Sequence, residues 1–484
     1  MSTSLTSFTD EALISLDTIG ARAASIIDPS LRLGVTGLSR AGKTVFITAL
    51  IHALTNNAKL PVFSVQKQGR LKGATLTHQP DDTIPRFQYE EHVRRLIEDR
   101  VWPDSTKAIS EIRVTLNYES ASGWNRMFGA GKFSLDIIDY PGEWLLDLPL
   151  LTKSYAEFSA HAFELSRGRP QIAADWHQAI SAIGPNDAFS EDTANKLAEI
   201  FTAYLRAGKS DERALSTLPP GRFLMPGDLA GSPALTFVPM ENAPENAGHD
   251  TFASVFQRRY EAYKSKVVRP FFREHVAKLD RQIVLIDALQ AINAGPDAVA
   301  DLERALSEIL ACFRPGLPGL FSQLFLRRID RILIAATKAD HLHHEAHEAL
   351  TNIVRRIANN AAKRASLSNA AVDVIAIAAA RATREGTLKH GGEDLPVITG
   401  TPVAGEKIGK EIFDGQTETA IFPGDLPQNP DSLFEAGKAS ADPLLRFVRF
   451  RPPKLERSGT ELNLTIPHIR LDKALEFLIG DRLV

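Results

Sequence analysis

Residues 37–44 read Gly-Leu-Ser-Arg-Ala-Gly-Lys-Thr and fit the P-loop pattern G-x-x-x-x-G-K-S/T. A strand-like run, 31–36, precedes them and a helix-like run, 45–54, follows, which is the context that the pattern requires. Backbone N–H groups of such a turn converge on phosphate oxygens, with Lys43 on the β- and γ-phosphates and the Thr44 hydroxyl on Mg²⁺. The predicted phosphate-binding residues are Gly37, Ser39, Arg40, Ala41, Gly42, Lys43 and Thr44.

A P-loop alone does not separate ATPases, kinases and GTPases. Asp139 and Gly142 form a D-x-x-G motif after the strand-like run 133–138, where Asp139 can hold Mg²⁺ through water and the Gly142 N–H can contact a γ-phosphate. Alone, this motif is equally an Asp-containing turn. Thr106 precedes the strand-like run 109–118, the place of a switch threonine, although a capping or turn role fits as well. The predicted metal ligands are Thr44, Thr106 and Asp139.

Residues 337–340, Thr-Lys-Ala-Asp, follow an apolar run and match the guanine-recognition motif N/T-K-x-D. The Asp340 carboxylate can accept hydrogen bonds from the N1–H and 2-amino groups of guanine, and adenine offers neither donor. Residues 378–381, Ala-Ala-Ala-Arg, loosely match the S-A-K loop, whose backbone N–H meets the guanine O6. The predicted base-binding residues are Thr337, Lys338, Asp340, Ala379 and Ala380. The alternative for Asp340 is a solvated turn.

Four histidines after this motif, His341, His343, His344 and His347, raise the question of a metal site. His343 and His347 would share a helix face, but their spacing is not H-E-x-x-H. A polar helix start explains them better.

Three dense apolar runs, 282–286, 331–336 and 372–378, are typical of central strands buried on both faces. Helix-like segments separate them, which predicts a parallel sheet built by crossovers. The fold prediction is therefore an α/β P-loop NTPase core, a mainly parallel sheet flanked by helices, with large helical insertions and a small β-rich C-terminal appendage. The runs 112–118 and 133–138 predict a hairpin, and 234–238 and 447–450 predict short strands.

The predicted division has four parts. Residues 1–143 form the first half of a nucleotide-binding domain, with a helical insert at about 57–105. Residues 144–278 form a helical insertion domain, 279–385 the second half of the nucleotide-binding domain, and 386–484 the appendage with a final helix.

Composition favours a soluble cytoplasmic protein. The net charge of −3 argues against a nucleic-acid partner, and the single cysteine, Cys312, fits a reducing compartment. The N-terminal segment lacks the basic and apolar regions of a signal peptide. No run approaches the length of a membrane-spanning helix.

The motifs in this order resemble the Ras-like division of P-loop GTPases. Over nearly the full chain the sequence is similar to the YcjX-like family of bacterial stress-associated GTP-binding proteins, through 37–44, 102–106, 139–144, and the tail 467–472 with Gly480 and Asp481. The resemblance implies a Ras-like core that binds GTP and GDP with Mg²⁺. It also implies a regulatory role under heat or envelope stress, an unknown effector protein, and a peripheral link to the inner membrane through a partner protein.

The chain departs from Ras-like enzymes at Glu143, where they carry the glutamine that orients the attacking water. A carboxylate can accept a proton from water, but its charge opposes that of the phosphate, so GTP hydrolysis is expected to be slow. Arg40 either supplies positive charge to the transition state or points to solvent. The predicted catalytic residues are Lys43, Glu143 and Arg40.

Two alternatives stay open. In the first, the P-loop serves an ATP-dependent enzyme or nucleotide kinase, and Asp340 is a turn residue. In the second, the protein is a nucleotide-stabilised scaffold that binds GTP without turning it over, which Glu143 favours.

Overall fold

The computed structural model describes residues 29–484 except 39–40, 105, 107, 122–130, 211–217, 245–246, 314–328, 367–369, 391, 435–444 and 456–464. Ser39 and Arg40 of the predicted P-loop lie outside these residues, as does the side chain of Cys312. Within the described part of the chain, no helix combines the length and the apolar character needed to cross a membrane.

A seven-stranded sheet forms the centre of the molecule. Its strands are β1 (Ser30–Gly37), β2 (Leu71–Thr77), β3 (Ser110–Tyr118), β4 (Gly131–Asp139), β5 (Arg281–Ile286), β6 (Arg331–Ala336) and β7 (Ala371–Ala376). The strand order is β2-β3-β4-β1-β5-β6-β7. The pairs β2/β3 and β3/β4 are antiparallel, and the pairs from β4 to β7 are parallel. The predicted mainly parallel sheet and its hairpin are confirmed.

Helices pack on both faces of this sheet and also build the insertion between β4 and β5. They are α1 (Lys43–Thr55), α2 (Ser64–Lys67), α3 (Tyr89–Arg94), α4 (Tyr155–Arg167), α5 (Pro170–Ser181), α6 (Glu191–Ser210), α7 (Phe252–Tyr263), α8 (Arg269–Glu274), α9 (Ala288–Ala294), α10 (Pro296–Cys312), α11 (His347–Ser366) and α12 (Leu471–Ile479). A π segment, Arg95–Asp99, extends α3. A 3-10 segment, Gly142–Thr152, follows β4.

Alternate residues of the central strands enter two separate cores. Ile283 and Leu285 of β5 pack with α1 and α12 on one face. Val284 and Ile286 pack on the other face, in a core that also holds the buried side chains of residues 144–278. This period of two, with both faces buried, is why these strands read as continuous apolar runs.

The predicted insertions need two corrections. The insert at 57–105 is only partly helical, because β2 lies within it and extends the central sheet at its edge. The predicted strand 234–238 is wrong. Pro233–Leu235 is a 3-10 turn, capped by the Ser232 side chain, and Phe237 and Val238 are instead fully buried against aromatic residues.

The C-terminal region contains the predicted β-rich appendage. Its strands are β8 (Arg384–His390), β9 (Glu393–Gly400), β10 (Lys407–Ile408), β11 (Glu411–Ile412) and β12 (Thr419–Ile421). The predicted strand 447–450 is wrong, since only an isolated bridge joins Phe450 to Pro402. Helix α12 leaves the appendage and packs in the same core as α1.

Candidate functional site

A cleft of about 280 Å³ opens where β1, β6 and β7 end. It gathers most of the predicted site: Gly37, Ala41, Gly42, Lys43, Thr44, Thr106, Gly142, Glu143, Thr337, Lys338, Asp340, Ala379 and Ala380. Ligand clefts of α/β sheets occupy this end of the strands. Residues far apart in the sequence therefore meet where the motifs require them.

The P-loop joins β1 to α1 through a tight turn. Gly42 has φ 75° and ψ 30°, a left-handed conformation that favours glycine, and it forms the N-cap of α1. Within the turn, the Ala41 N–H donates to the Leu38 carbonyl at 3.1 Å. The first N–H groups of a helix have no partner inside it, so this turn can bind an anion.

Among the three predicted metal ligands, Thr106 contacts both of the others. The Thr106 Oγ1 donates to Asp139 Oδ2 at 2.7 Å, and the hydroxyl oxygens of Thr44 and Thr106 lie 3.3 Å apart. Lys43 Nζ pairs with Asp139 Oδ1 at 2.6 Å and donates to the Tyr140 carbonyl at 2.7 Å. Asp139 is buried beneath the cleft surface, so the lysine neutralises a carboxylate with little access to water.

A close backbone contact with the P-loop explains the glycine of D-x-x-G, Gly142. A Cβ on Gly142 would lie 1.9 Å from the Gly37 carbonyl oxygen, so only glycine allows this segment to pack on the P-loop.

Glu143 is buried beside this contact and forms an ion pair with Lys209 of α6, with 2.6 Å between Glu143 Oε1 and Lys209 Nζ. The segment after Glu143 is also held by contacts with the insertion, through hydrogen bonds to Asp147. The buried Asp147 carboxylate accepts hydrogen bonds from Gly221 N, Arg222 N and the Tyr263 hydroxyl. Burial raises the pKa of Asp147 to about 6, against the opposing effect of these donors.

The loop after β6 carries Thr337 and Lys338. The Thr337 hydroxyl donates to the Ile286 carbonyl at 3.2 Å, which ties the loop to β5. Lys338 adopts a left-handed conformation, and its Nζ pairs with Asp287, a buried residue at the end of β5. This ion pair holds the lysine stem in the wall of the cleft.

Asp340 is almost fully buried, and its position is set from two sides. Its Oδ2 accepts a hydrogen bond from Ala382 N at 2.8 Å, and its backbone carbonyl accepts one from the Thr383 hydroxyl. Among the described residues, no donor is bonded to Oδ1 of this carboxylate. That oxygen can therefore accept from a ligand in the cleft.

The loop after β7 is supported by the C-terminal tail. Ala378 and Ile469 exchange backbone hydrogen bonds at 3.1 and 2.8 Å, and Arg381 N donates to the Pro467 carbonyl at 2.7 Å. Ala379 and Ala380 line the cleft. The Arg381 side chain turns to the Thr383 carbonyl and to Glu385, so it is not a substitute for the lysine of S-A-K.

Sequence reasoning missed several lining residues, namely Met225, His341, Arg449 and Phe450. The His341 ring meets the Phe450 ring edge to face, with 5.4 Å between centroids. Trp102 Nε1 donates to the Phe450 carbonyl at 2.6 Å, which connects the residues before Thr106 to the appendage. Burial lowers the pKa of His341, so the ring is neutral near pH 7. No spacing in the sequence connects Phe450 to the motifs.

The histidines support the helix-start interpretation. His347 is buried and its Nε2 lies 2.8 Å from the Ala339 carbonyl, so it braces the loop of Asp340. His343, His344 and Glu345 could bring one ligand atom each within 4.8 Å of one another. His344 already contacts Glu385 at 2.6 Å.

Fold and site together define an α/β P-loop NTPase core with the motif order of Ras-like GTPases. Comparison with known proteins specifies the family. The model of the YcjX-like family, DUF463, matches residues 31–483, and the chain belongs to this family. It is 37% identical over 471 residues to the Ras-like GTPase YcjX of Escherichia coli (strain K12), covering 94% of this chain and 97% of that protein. It is 32% identical over 501 residues to the Ras-like GTPase YcjX of Shewanella oneidensis, covering 97% and 99%.

Proposed function

We propose that the protein is a guanine-nucleotide switch that binds GTP and GDP with Mg²⁺ and hydrolyses GTP slowly. One observation carries the proposal: a single cleft contains both the P-loop lysine, Lys43, and the buried carboxylate of Asp340. A P-loop supplies phosphate affinity, and a buried acceptor at this place supplies selection of guanine over adenine. The names of the two relatives agree with this reading.

Mg²⁺ fits the residues that would hold it. Thr44, Thr106 and Asp139 offer only oxygen ligands, which is the donor set that Mg²⁺ prefers. When bound there, the ion would neutralise charge on the β- and γ-phosphates. Trp102, four residues before Thr106, is hydrogen-bonded to Phe450 of the appendage. A shift of Thr106 on nucleotide binding would therefore also move the contact with the appendage.

The remaining residues of the cleft have roles in the same proposal. Lys43 would leave Asp139 for the phosphates, and the Gly142 N–H would meet the γ-phosphate. Lys338 would lie along the base, and the N–H groups of Ala379 and Ala380 would face the guanine O6. Arg40 remains a predicted catalytic residue outside the described part of the chain.

The biological setting is also part of the proposal. The insertion 144–278 is the surface that we expect an effector protein to contact, because it packs directly on the segment after D-x-x-G. A stress-response role and an inner-membrane partner rest on the family resemblance alone, and a cytoplasmic location rests on composition and the single cysteine.

Two alternatives compete with this proposal: an ATP-dependent enzyme, and a scaffold that binds GTP without turnover.

Release of inorganic phosphate tests the reaction. The full chain is incubated with GTP or ATP, with Mg²⁺ or with excess chelator. We expect slow release from GTP that requires Mg²⁺ and falls on the order of 10-fold or more in Thr44→Ala. Thr55→Ala is the matched control, because Thr55 lies on the same helix and its hydroxyl donates to the Ile51 carbonyl. Faster release from ATP would favour the ATP-dependent enzyme, and GTP binding without release would favour the scaffold.

A further inference from the structure

The ion pair between Glu143 and Lys209 joins a residue of the nucleotide site to a helix of the insertion. Glu143 follows D-x-x-G, the position that orients attacking water in Ras-like enzymes. Lys209 comes from the last turn of α6, in the helical insertion, and reaches Glu143 Oε1 at 2.6 Å. The side chains are 8% and 27% exposed, so bulk water screens this pair weakly.

The backbone at Glu143 is held by the same insertion. A Cβ on Gly221 would lie 2.0 Å from the Glu143 carbonyl oxygen, so the two backbones are in contact. The Arg222 guanidinium lies 3.3 Å from the centroid of the Trp144 ring. With the backbone fixed on both sides, the partner of its carboxylate determines where the Glu143 side chain points.

Lys209 offsets the negative charge of Glu143 in the cleft. A bare carboxylate in the cleft would repel a γ-phosphate, and a lysine at 2.6 Å offsets that repulsion. The cleft uses the same arrangement at Asp139, whose partner is Lys43. Glu143 can then remain an acceptor for water close to a phosphate.

We propose that Lys209 is a positioning residue for GTP hydrolysis, supplied by the insertion: it orients Glu143 and offsets its charge. This inference rests on the proposed function. In the reaction, a bond forms between the water oxygen and the γ-phosphorus, and the bond from that phosphorus to the β–γ bridging oxygen breaks. The water proton passes to the Glu143 carboxylate and then to solvent, and GDP and inorganic phosphate are the products.

Single-turnover hydrolysis of GTP by the full chain tests this role, with affinity for GDP and for a non-hydrolysable GTP analogue measured in parallel. We expect Lys209→Met to lower the hydrolysis rate on the order of 10-fold to 100-fold and to change the affinity for GDP by less than about twofold. Affinity for the GTP analogue should fall, because the unpaired Glu143 charge then faces the γ-phosphate. Lys209→Arg should retain most of the rate. Lys196→Met is the matched control, because Lys196 lies on the same helix in an exposed pair with Asp192.

Coupling to Glu143 separates positioning from a general structural effect. In a Glu143→Gln background there is no charge to offset, so adding Lys209→Met should change the rate by less than about twofold. A wild-type rate in Lys209→Met, or an equal loss in both backgrounds, would overturn the inference while leaving GTP hydrolysis intact. Guanine binding without any turnover would overturn the inference and the hydrolysis step together, and failure to bind GTP would overturn the proposed function itself.

Discussion

At the scale of single residues, the close backbone contact between Gly142 and Gly37 leaves no room for a side chain. Gly142→Ala would place a methyl group 1.9 Å from the Gly37 carbonyl oxygen, so the D-x-x-G segment must move away from the P-loop. We expect the free energy of unfolding to fall by about 1–3 kcal/mol. We also expect GDP affinity to fall on the order of 10-fold, measured by calorimetry.

Gly168→Ala is the control for this substitution. Gly168 has φ −72° at the C-cap of α4, and no atom lies within 4 Å of the added Cβ. Stability and GDP affinity should match the wild type. A Gly142→Ala protein with unchanged affinity would show that the D-x-x-G segment does not form part of the nucleotide site.

Glu111 gives the folded state a pH dependence. Burial raises its pKa from 4.5 to about 7, and Arg32, whose Nη2 lies 3.3 Å from Oε1, opposes that shift. Because the folded pKa is raised, the stabilising contribution is fully present below the unfolded value of 4.5 and is lost as pH rises through about 7.

We therefore expect the wild type to lose stability relative to Glu111→Gln between about pH 5 and about pH 8, measured as urea midpoints. The variant lacks the titrating carboxyl and should have the flatter profile. Parallel profiles for the two proteins would contradict this assignment.

Motif residues could be predicted because their chemistry fixes both type and spacing. Lys43, Thr44 and Asp340 fall at set distances from strand ends, and parallel strands bring those ends together. The partners of these residues could not be predicted in the same way. Phe450 lines the cleft and Lys209 pairs with Glu143 at its edge, both from regions without a motif, and only tertiary packing places them there.

At the scale of elements, helix α12 is fixed to the sheet by a buried arginine. Arg281 of β5 donates to Asp330 at 2.8 Å and to Asp481 at 2.5 and 2.6 Å, and it also donates to the Leu478 carbonyl. Arg281→Met should lower the free energy of unfolding by about 2–4 kcal/mol, since two carboxylates and a buried carbonyl each lose a charged donor. Urea denaturation measures the loss.

Arg482→Met is the matched control. Arg482 donates to the same Asp330 at 2.9 Å from a half-exposed position, so its removal should cost less than about 1 kcal/mol. Equal losses in the two variants would contradict a special role for the buried guanidinium.

The dense apolar runs of the central sheet were predicted correctly as strands, but the apolar run in the insertion was not. The dense apolar run 331–336 became β6, whose backbone pairs with β5 and β7 while its side chains are buried on both faces. The run 234–238 is also largely apolar, but only Phe237 and Val238 are buried, and Phe237 packs among aromatic rings of the insertion without strand pairing. Burial alone does not distinguish these outcomes in a sequence.

At the scale of the whole molecule, the C-terminal tail links the loop after β7, which lines the cleft, to the segment that follows α1. The tail donates and accepts hydrogen bonds at Ala378, and Asp472 of α12 accepts from Val62 N at 3.0 Å. GDP binding should therefore slow amide hydrogen exchange in α1 and also in the tail at 467–470. The strands β10 and β11 serve as an internal control. Protection of α1 without protection of the tail would contradict this coupling.

The path of the C-terminal tail could not be predicted from the sequence. Residues 386–484 read as one appendage because their Gly- and Pro-rich stretches and strand-like runs are contiguous. The structure returns their last part, α12, to the core beside α1. An amphipathic helix shows that it needs a partner surface, but not which surface it will find.

The most direct test of the central claim is a calorimetric titration with GDP, a GTP analogue, ADP and xanthosine diphosphate in Mg²⁺, for the wild type and Asp340→Asn. The wild type should bind the guanine nucleotides and not ADP. In the variant, the amide oxygen can keep the bond from Ala382 N while the amino group faces the base, so guanine binding should collapse and xanthine binding should appear. Equal or tighter binding of ADP by the wild type would contradict guanine selection by Asp340.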